Sequence, residues 1–273
     1  MPELPEVETI RLHLIPLITH RTITHITVYE KKQFVGEVET ILGREITGLE
    51  RRGKILIVRL SDEHSFLIHL KMSGQILFFS SEPTLIPKYA RIVIKFKDKS
   101  ALFFCDMRKF GWMKITQNLN FKTQKEIVNL GLEPFDKEFT ESYLKQIFSK
   151  SFKPIKTLLM DQTKIAGVGN IYANEALFLA GILPIRLAKT LTIEEIKRLR
   201  MAVIEVLKNG LKYGGSSAED EAYIRPDGSR GSYQKHFLVY QKDKKPCPNN
   251  CGSQIRRISL GGRGTFFCQK CQS

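Results

Sequence analysis

The chain has 273 residues, enough for one large domain or two ordinary ones, and 42% of them are hydrophobic, which allows a proper core. No apolar run approaches the ~20 residues needed to span a bilayer, and the acidic start Met1–Arg11 lacks the basic and apolar regions of a secretion signal, so a cytoplasmic location is expected. Lysine and arginine number 43 against 28 acids, a net charge of +15, which points to a polyanionic partner: nucleic acid first, an anionic membrane surface second.

Val7–Ile18 has apolar residues at helical spacing (Val7, Ile10, Leu14, Ile18), with Glu6 and Glu8 where a helix dipole favours negative charge. Short runs rich in β-branched and aromatic residues follow: Thr22–Tyr29, Lys54–Leu60, Phe66–Leu70, Gln75–Phe79, Ala90–Phe96 and Leu102–Cys105. Lys97–Ser100 reads as a hairpin turn, and the even spacing suggests a sandwich or barrel. The period then changes. Glu141–Phe148, Pro154–Met160, Asn170–Ala180 and Ile193–Leu211 read as helices, with Thr192 capping the last. Gly214-Gly215-Ser216-Ser217 breaks that pattern and opens a polar stretch to Ser232, expected to be a mobile loop.

Two features carry chemistry. Pro2 follows the initiator and precedes Glu3. With Met1 removed, Pro2 has a free secondary amine of the α-amino type, titrating near ~7.7–8.0 and therefore partly nucleophilic at neutral pH. Its condensation with a sugar aldehyde carbon gives an iminium, a permanent electron sink. The competing explanation is structural, because proline suits the first turn of any helix. The second feature is the cysteines. Cys105 sits alone in an apolar run and reads as core. The other four lie in the last 27 residues, as Cys247-Pro-Asn-Asn-Cys251, sixteen residues, then Cys268-Gln-Lys-Cys271. Two pairs on two knuckles suit tetrahedral Zn²⁺, so one structural zinc is expected. Ile255–Leu260 alternates and Gly261-Gly262-Arg263-Gly264 is a turn, giving a β-hairpin zinc finger with Arg263 at its tip. Arg263 reads equally as a phosphate contact or a solvated arginine.

The ordered motifs Pro2-Glu3-Leu4-Pro5-Glu6-Val7-Glu8-Thr9, Arg51-Arg52-Gly53-Lys54, His69-Leu70-Lys71-Met72-Ser73-Gly74, Asp106-Met107-Arg108-Lys109-Phe110-Gly111, Ala166-Gly167-Val168-Gly169-Asn170-Ile171-Tyr172 and the zinc finger together resemble the bacterial formamidopyrimidine-DNA (8-oxoguanine DNA) glycosylases over essentially the whole chain. The sister family, endonuclease VIII, shares the architecture but usually starts Pro-Glu-Gly-Pro-Glu, where this chain has Leu4. The resemblance implies an α+β fold: an N-terminal β-sandwich with an N-terminal helix, then a helical domain with a helix-two-turn-helix and a C-terminal β-hairpin zinc finger. The implied domains are a catalytic sandwich 1–115, a linker 116–132, a helical DNA-binding domain 133–240 with a lesion loop about 216–232, and a zinc finger 241–273.

The implied activity is a monomeric base-excision enzyme, a DNA glycosylase and AP lyase for oxidised purines in double-stranded DNA, associated with DNA in a bacterial cytoplasm. Pro2 would attack C1′ and drive β,δ-elimination, Glu3 would move protons, and Lys54 would hold a phosphate or the ring oxygen. Met72, Arg108 and Phe110 match residues that fill the space left by a flipped nucleotide, although outside the family Met72 and Phe110 would read as core. Lys156, Asn170, Tyr240 and Arg263 match phosphate contacts, and Glu6 and Glu175 match positions near the flipped base. The alternatives are an endonuclease VIII-like glycosylase for oxidised pyrimidines and a catalytically silent damage-binding protein. Three departures stand out: three residues rather than two inside the first cysteine pair, an acidic Ala218–Tyr223 where the family often has an arginine, and Lys88–Arg91 in place of a histidine-containing segment.

Overall fold

A computed structural model describes residues 1–117, 123–217 and 223–273; Ala218–Ala222 of the acidic stretch and part of the expected linker lie outside the described residues. The elements in chain order are helix α1 (Leu4–Ile18), strands β1 (Ile23–Val28), β2 (Phe34–Val35), β3 (Ile46–Arg52), β4 (Ile55–Leu60), β5 (His64–His69), β6 (Gly74–Phe79), β7 (Ala90–Phe96), β8 (Ala101–Asp106) and β9 (Trp112–Gln117), helices α2 (Lys125–Val128), α3 (Glu141–Ser149), α4 (Ile155–Leu159), α5 (Asn170–Ala180) and α6 (Ile193–Lys212), and the hairpin β10 (Arg256–Leu260) with β11 (Arg263–Phe267). They group into two units: Met1–Val128 with Leu211–Gln234, and Asn129–Gly210 with Lys235–Ser273. No helix among the described residues is long and apolar enough to cross a membrane.

In the first unit an antiparallel four-stranded sheet, β1-β7-β8-β6, faces a five-stranded sheet, β2-β9-β5-β4-β3, in which only the β2–β9 edge is parallel. Ile26, Ile68, Ile92 and Phe104 from the two sheets meet in one core with Val7, Ile10, Leu14 and Ile18 of α1. The helix starts at Leu4, three residues before the periodic run, because Pro5 is tolerated in a first turn that lacks N–H partners anyway. The 97–100 turn closes as expected, with the Phe96 N–H donating to the Ser100 carbonyl at 2.9 Å. Three strands were not anticipated. A register shift between Ile46 and Gly48 breaks the alternation of β3 and β2 has only two residues, whereas β9 is a regular six-residue strand in which Lys114 alternates with Met113 and Ile115.

The polar stretch after Gly214 also differs from expectation in its described part. Tyr223 is 2% exposed and joins the sandwich core, and the Phe78 N–H donates to the Pro226 carbonyl at 2.9 Å. The Ser217 hydroxyl donates to the Tyr223 carbonyl (2.7 Å) and accepts the Gly231 N–H (3.0 Å), so the stretch is tied down at both ends. One buried aromatic among polar neighbours carries too little periodicity to announce this.

In the second unit α5 is buried along nearly its whole length and stops at Gly181, φ +70°. Thr192 and Glu195 form the N-terminal cap of α6: the Glu195 N–H donates to the threonine hydroxyl (3.2 Å) and the Thr192 N–H to the glutamate (2.8 Å). The mixed α+β architecture is the expected one.

Candidate active site and metal centre

Pro2 and Glu3 are buried at the start of α1. Glu6, also buried, spends its carboxylate on two backbone donors, the Glu3 N–H at 2.9 Å and the Ser216 N–H at 2.8 Å. It ties the N-terminal turn to the Gly214–Ser217 turn. Gly215 has φ +79°, and a Cβ there would lie 2.9 Å from the Tyr223 ring and 3.0 Å from Glu6 Cγ, so only glycine fits. Expected beside a flipped base, Glu6 is seen here as a bridge between two segments of backbone.

Lys54 is buried in the two-residue turn between β3 and β4, after Gly53 at φ +57°. Arg51 braces that turn, donating to the Gly53 carbonyl (2.9 Å) and to Glu8 (2.9 Å), which also binds Arg11 at 2.6 Å. Burial alone would raise the Glu8 carboxyl; Arg11 and Arg51 outweigh it and hold it below its ordinary value. In the strand pairing His69 lies opposite Ile55, the residue after Lys54, with its ring 5.8 Å from that of Trp112. Desolvation, then the charges of Lys71 and Lys54, push the imidazole down to about 3. Its Nδ1 accepts the Lys71 N–H at 3.0 Å. His69 is therefore a neutral ring in the Lys54 neighbourhood. In the sequence His69 is marked only as the first residue of the His69–Gly74 motif.

Met72 is half-buried, whereas Arg108 is exposed and Phe110 is 55% exposed, against the core reading for phenylalanine. The Arg108 guanidinium carbon lies 5.2 Å from the centroid of the Phe110 ring. Topology explains why these residues are neighbours. The β5–β6 and β8–β9 connections both cross between the two sheets, and β6 pairs with β8 as β5 pairs with β9.

In the second unit Lys156 is 1% exposed, and its ammonium donates to the Gly264 carbonyl (2.9 Å) and the Thr265 hydroxyl (2.7 Å). Asn174 accepts the Phe266 N–H at 2.7 Å. Glu175 accepts the N–H groups of Leu238, Val239 and Tyr240 at 2.7, 2.9 and 2.8 Å. Burial raises its carboxyl above the ordinary value in spite of these three donors. Lys156 and Glu175, expected at phosphate and base, thus make protein contacts here, and Asn174 was not singled out at all. A buried asparagine in an apolar helix was its only sequence signal. The Tyr240 ring is buried, packed edge-to-face at 5.3 Å against both Phe237 and Phe266. Asn170 begins α5, half-buried, and Arg263 is exposed, directly after the Gly261-Gly262 turn. Both glycines have positive φ (58° and 71°), as a two-residue hairpin turn demands.

The sulfurs of Cys247, Cys251, Cys268 and Cys271 all lie within 4.8 Å of one another, and none is in a disulfide. A tetrahedron of ~2.3 Å Zn–S bonds has edges of about 3.8 Å. The Cys247–Cys271 and Cys251–Cys268 separations, 3.7 and 3.5 Å, fit that figure. The longer first knuckle is absorbed by Asn250, whose φ of +52° is a conformation asparagine tolerates. These residues hold one structural zinc ion.

A sandwich whose first helix opens on a buried proline, followed by a helical unit and a four-cysteine hairpin, is the architecture of a base-excision DNA glycosylase. Family models described as the formamidopyrimidine-DNA glycosylase N-terminal domain, its H2TH domain, and the zinc finger found in FPG and IleRS match residues 1–113, 130–222 and 244–273. The chain is 39% identical over 282 residues to a formamidopyrimidine-DNA glycosylase of Desulfitobacterium hafniense, covering all of both chains. The crystal structure of the Thermus thermophilus MutM (Fpg) protein superposes with a TM-score of 0.90 at 37% identity, covering 99% of this chain and 98% of that one. A Lactococcus lactis Fpg variant in complex with Fapy-dG DNA gives 0.91 at 33% identity, covering both chains fully. The chain belongs to the formamidopyrimidine-DNA glycosylase family and is a bifunctional DNA glycosylase and AP lyase.

Proposed function

We propose that this enzyme removes oxidised purines, 8-oxoguanine and formamidopyrimidines, from double-stranded DNA and cuts the strand by β,δ-elimination through an iminium on Pro2. The observation that carries the reading is Pro2 with Glu3 beside it at the buried start of α1, on the sandwich that carries Lys54. Once Met1 is removed, the Pro2 nitrogen bonds to C1′ as the glycosidic bond breaks, and the base leaves with the electron pair and a proton. Glu3 protonates the ring oxygen, so the sugar opens to the iminium. Loss of the C2′ proton into that electron sink expels the 3′ phosphate, and a second elimination expels the 5′ phosphate. Lys54 steadies the phosphate or ring oxygen. Met72, Arg108 and Phe110 fill the space left by the flipped nucleotide, and Asn170 and Arg263 grip phosphate. Residues 1–115, 133–240 and 241–273 act as catalytic, helical and zinc-finger parts, a division supported in outline by family matches over 1–113, 130–222 and 244–273, with Leu211–Gln234 grouped with the sandwich unit.

Borohydride trapping tests the chemistry. Wild type should give a covalent adduct with lesion-containing DNA, Pro2→Gly should reduce or abolish it, and Glu3→Gln should slow base release by about 10²–10⁴-fold. DNA binding without an adduct would favour a silent damage-binding protein. A second substrate class has specific support: a Lactococcus lactis relative, 33% identical, is known in complex with DNA containing an oxidised pyrimidine. Faster excision of 5-hydroxycytosine than of 8-oxoguanine from matched duplexes would overturn the purine assignment.

A further inference from the structure

The crossing between the two sheets has a buried polar centre at Asp106. Asp106, the last residue of β8, is fully buried. One carboxylate oxygen accepts the Ser73 hydroxyl (2.5 Å) and the Arg108 N–H (3.2 Å); the other accepts the Gly111 N–H (2.7 Å) and the Gln33 amide (2.9 Å). The Ser73 hydroxyl also accepts the Arg108 N–H at 3.0 Å. The Asp106 carbonyl accepts Arg91 Nε at 2.9 Å, and the Asp106 N–H donates to the Tyr89 carbonyl at 3.0 Å. Ser73 follows Met72, Arg108 donates its own N–H, and Gly111 follows Phe110. The loop is also tight. A Cβ on Gly111 would lie 2.7 Å from the Phe104 ring and 3.1 Å from the carboxylate, and Lys109 sits at φ +58°.

We infer that Asp106 is the positioning residue for Met72, Arg108 and Phe110. It gathers the two sheet-crossing loops that carry them, so that the three side chains stand ready before DNA arrives. The inference rests on the proposed role of these three in filling the space left by the flipped nucleotide. The β5–β6 loop is closed by the Gly74 N–H donating to the Leu70 carbonyl (2.9 Å), and the Ser73 hydroxyl then reaches across to Asp106. Here two loop N–H groups and a serine hydroxyl converge on one carboxylate, and an unmet buried donor is costly. Asparagine cannot replace it. In either amide orientation an NH₂ faces a backbone N–H, that of Arg108 or that of Gly111.

The test compares two reactions of the full-length, zinc-loaded enzyme. Duplex excision of 8-oxoguanine needs the flipped state, whereas borohydride trapping on a single-stranded abasic oligonucleotide does not. Asp106→Asn should lower the ratio of duplex excision to single-strand trapping about 10- to 100-fold, the scale expected when positioned groups move by about an ångström. It should also weaken the fluorescence rise of 2-aminopurine placed beside the lesion. Combined with Arg108→Ala, the losses should be less than multiplicative. Ser73→Ala, which deletes one hydroxyl and spares the sandwich, should act in the same direction by about threefold, and it carries the test if Asp106→Asn does not fold. Equal losses in both reactions, an unchanged ratio in both variants, or multiplicative losses with Arg108→Ala would overturn the inference. If wild type itself gives neither adduct nor fluorescence rise, the fault lies with the proposed function, not with Asp106.

Discussion

An imidazole packed against Trp112, with the ammonium groups of Lys71 and Lys54 nearby, resists a second proton, and that resistance has a consequence for stability. In the unfolded chain His69 takes up its proton near its ordinary value of 6.5; in the folded chain it does so only near 3. Between those limits the unfolded state binds more protons, so the contribution of His69 is complete above pH 6.5 and is lost as pH falls toward 3. The slope from this single group approaches about 1.4 kcal/mol per pH unit. Urea midpoints measured from pH 7 to pH 4 should fall for wild type, and His69→Gln should flatten part of that fall. A parallel pH profile in the variant would show that His69 does not titrate as described. Single residues were unevenly legible. Pro2, Glu3 and Lys54 stood out through their motifs. The bridging role of Glu6 did not, since its partner Ser216 is 210 residues away and no local spacing links them.

Helices α4 and α5 act through side chains that satisfy someone else's backbone. Lys156 and Asn174 hold strand β11, while Glu175 holds the chain leading into the finger. A finger this small has little core, so its folding depends on zinc and on this support. Chelation of zinc should abolish protection from hydrogen exchange across Arg256–Phe267. Lys156→Ala should weaken it selectively at Gly264–Phe267, at a cost of about 1–3 kcal/mol for the buried acceptors left unmet. Protection unaltered by chelation would refute the metal's role. The element-scale pattern was well marked for α5 and α6, where amphipathic or apolar periodicity is long, and for the cysteine knuckles. It was poorly marked for β2 and β3, whose short or bulged alternation carries little signal before a neighbouring strand supplies pairing partners.

A net charge of +15 acts over the molecule as a whole. Binding to undamaged duplex should weaken steeply with salt, because each neutralised phosphate releases about 0.9 counterion. Arg263→Ala should reduce that slope by about one and weaken damaged and undamaged duplex alike. An effect confined to damaged DNA would exclude a phosphate contact. The metal and the order of the parts were legible before any folding, because thiol spacing and hydrophobic period are properties of local residue type and spacing, and the glycosylase class was legible in the ordered motifs. Which buried polar groups hold which loops depends on how the chain folds back on itself. The Asp106 centre and the Glu6 bridge unite donors and acceptors from distant segments. Such pairings exist only after the two sheets and the returning 211–234 segment have closed, when each buried donor must find its acceptor inside the protein.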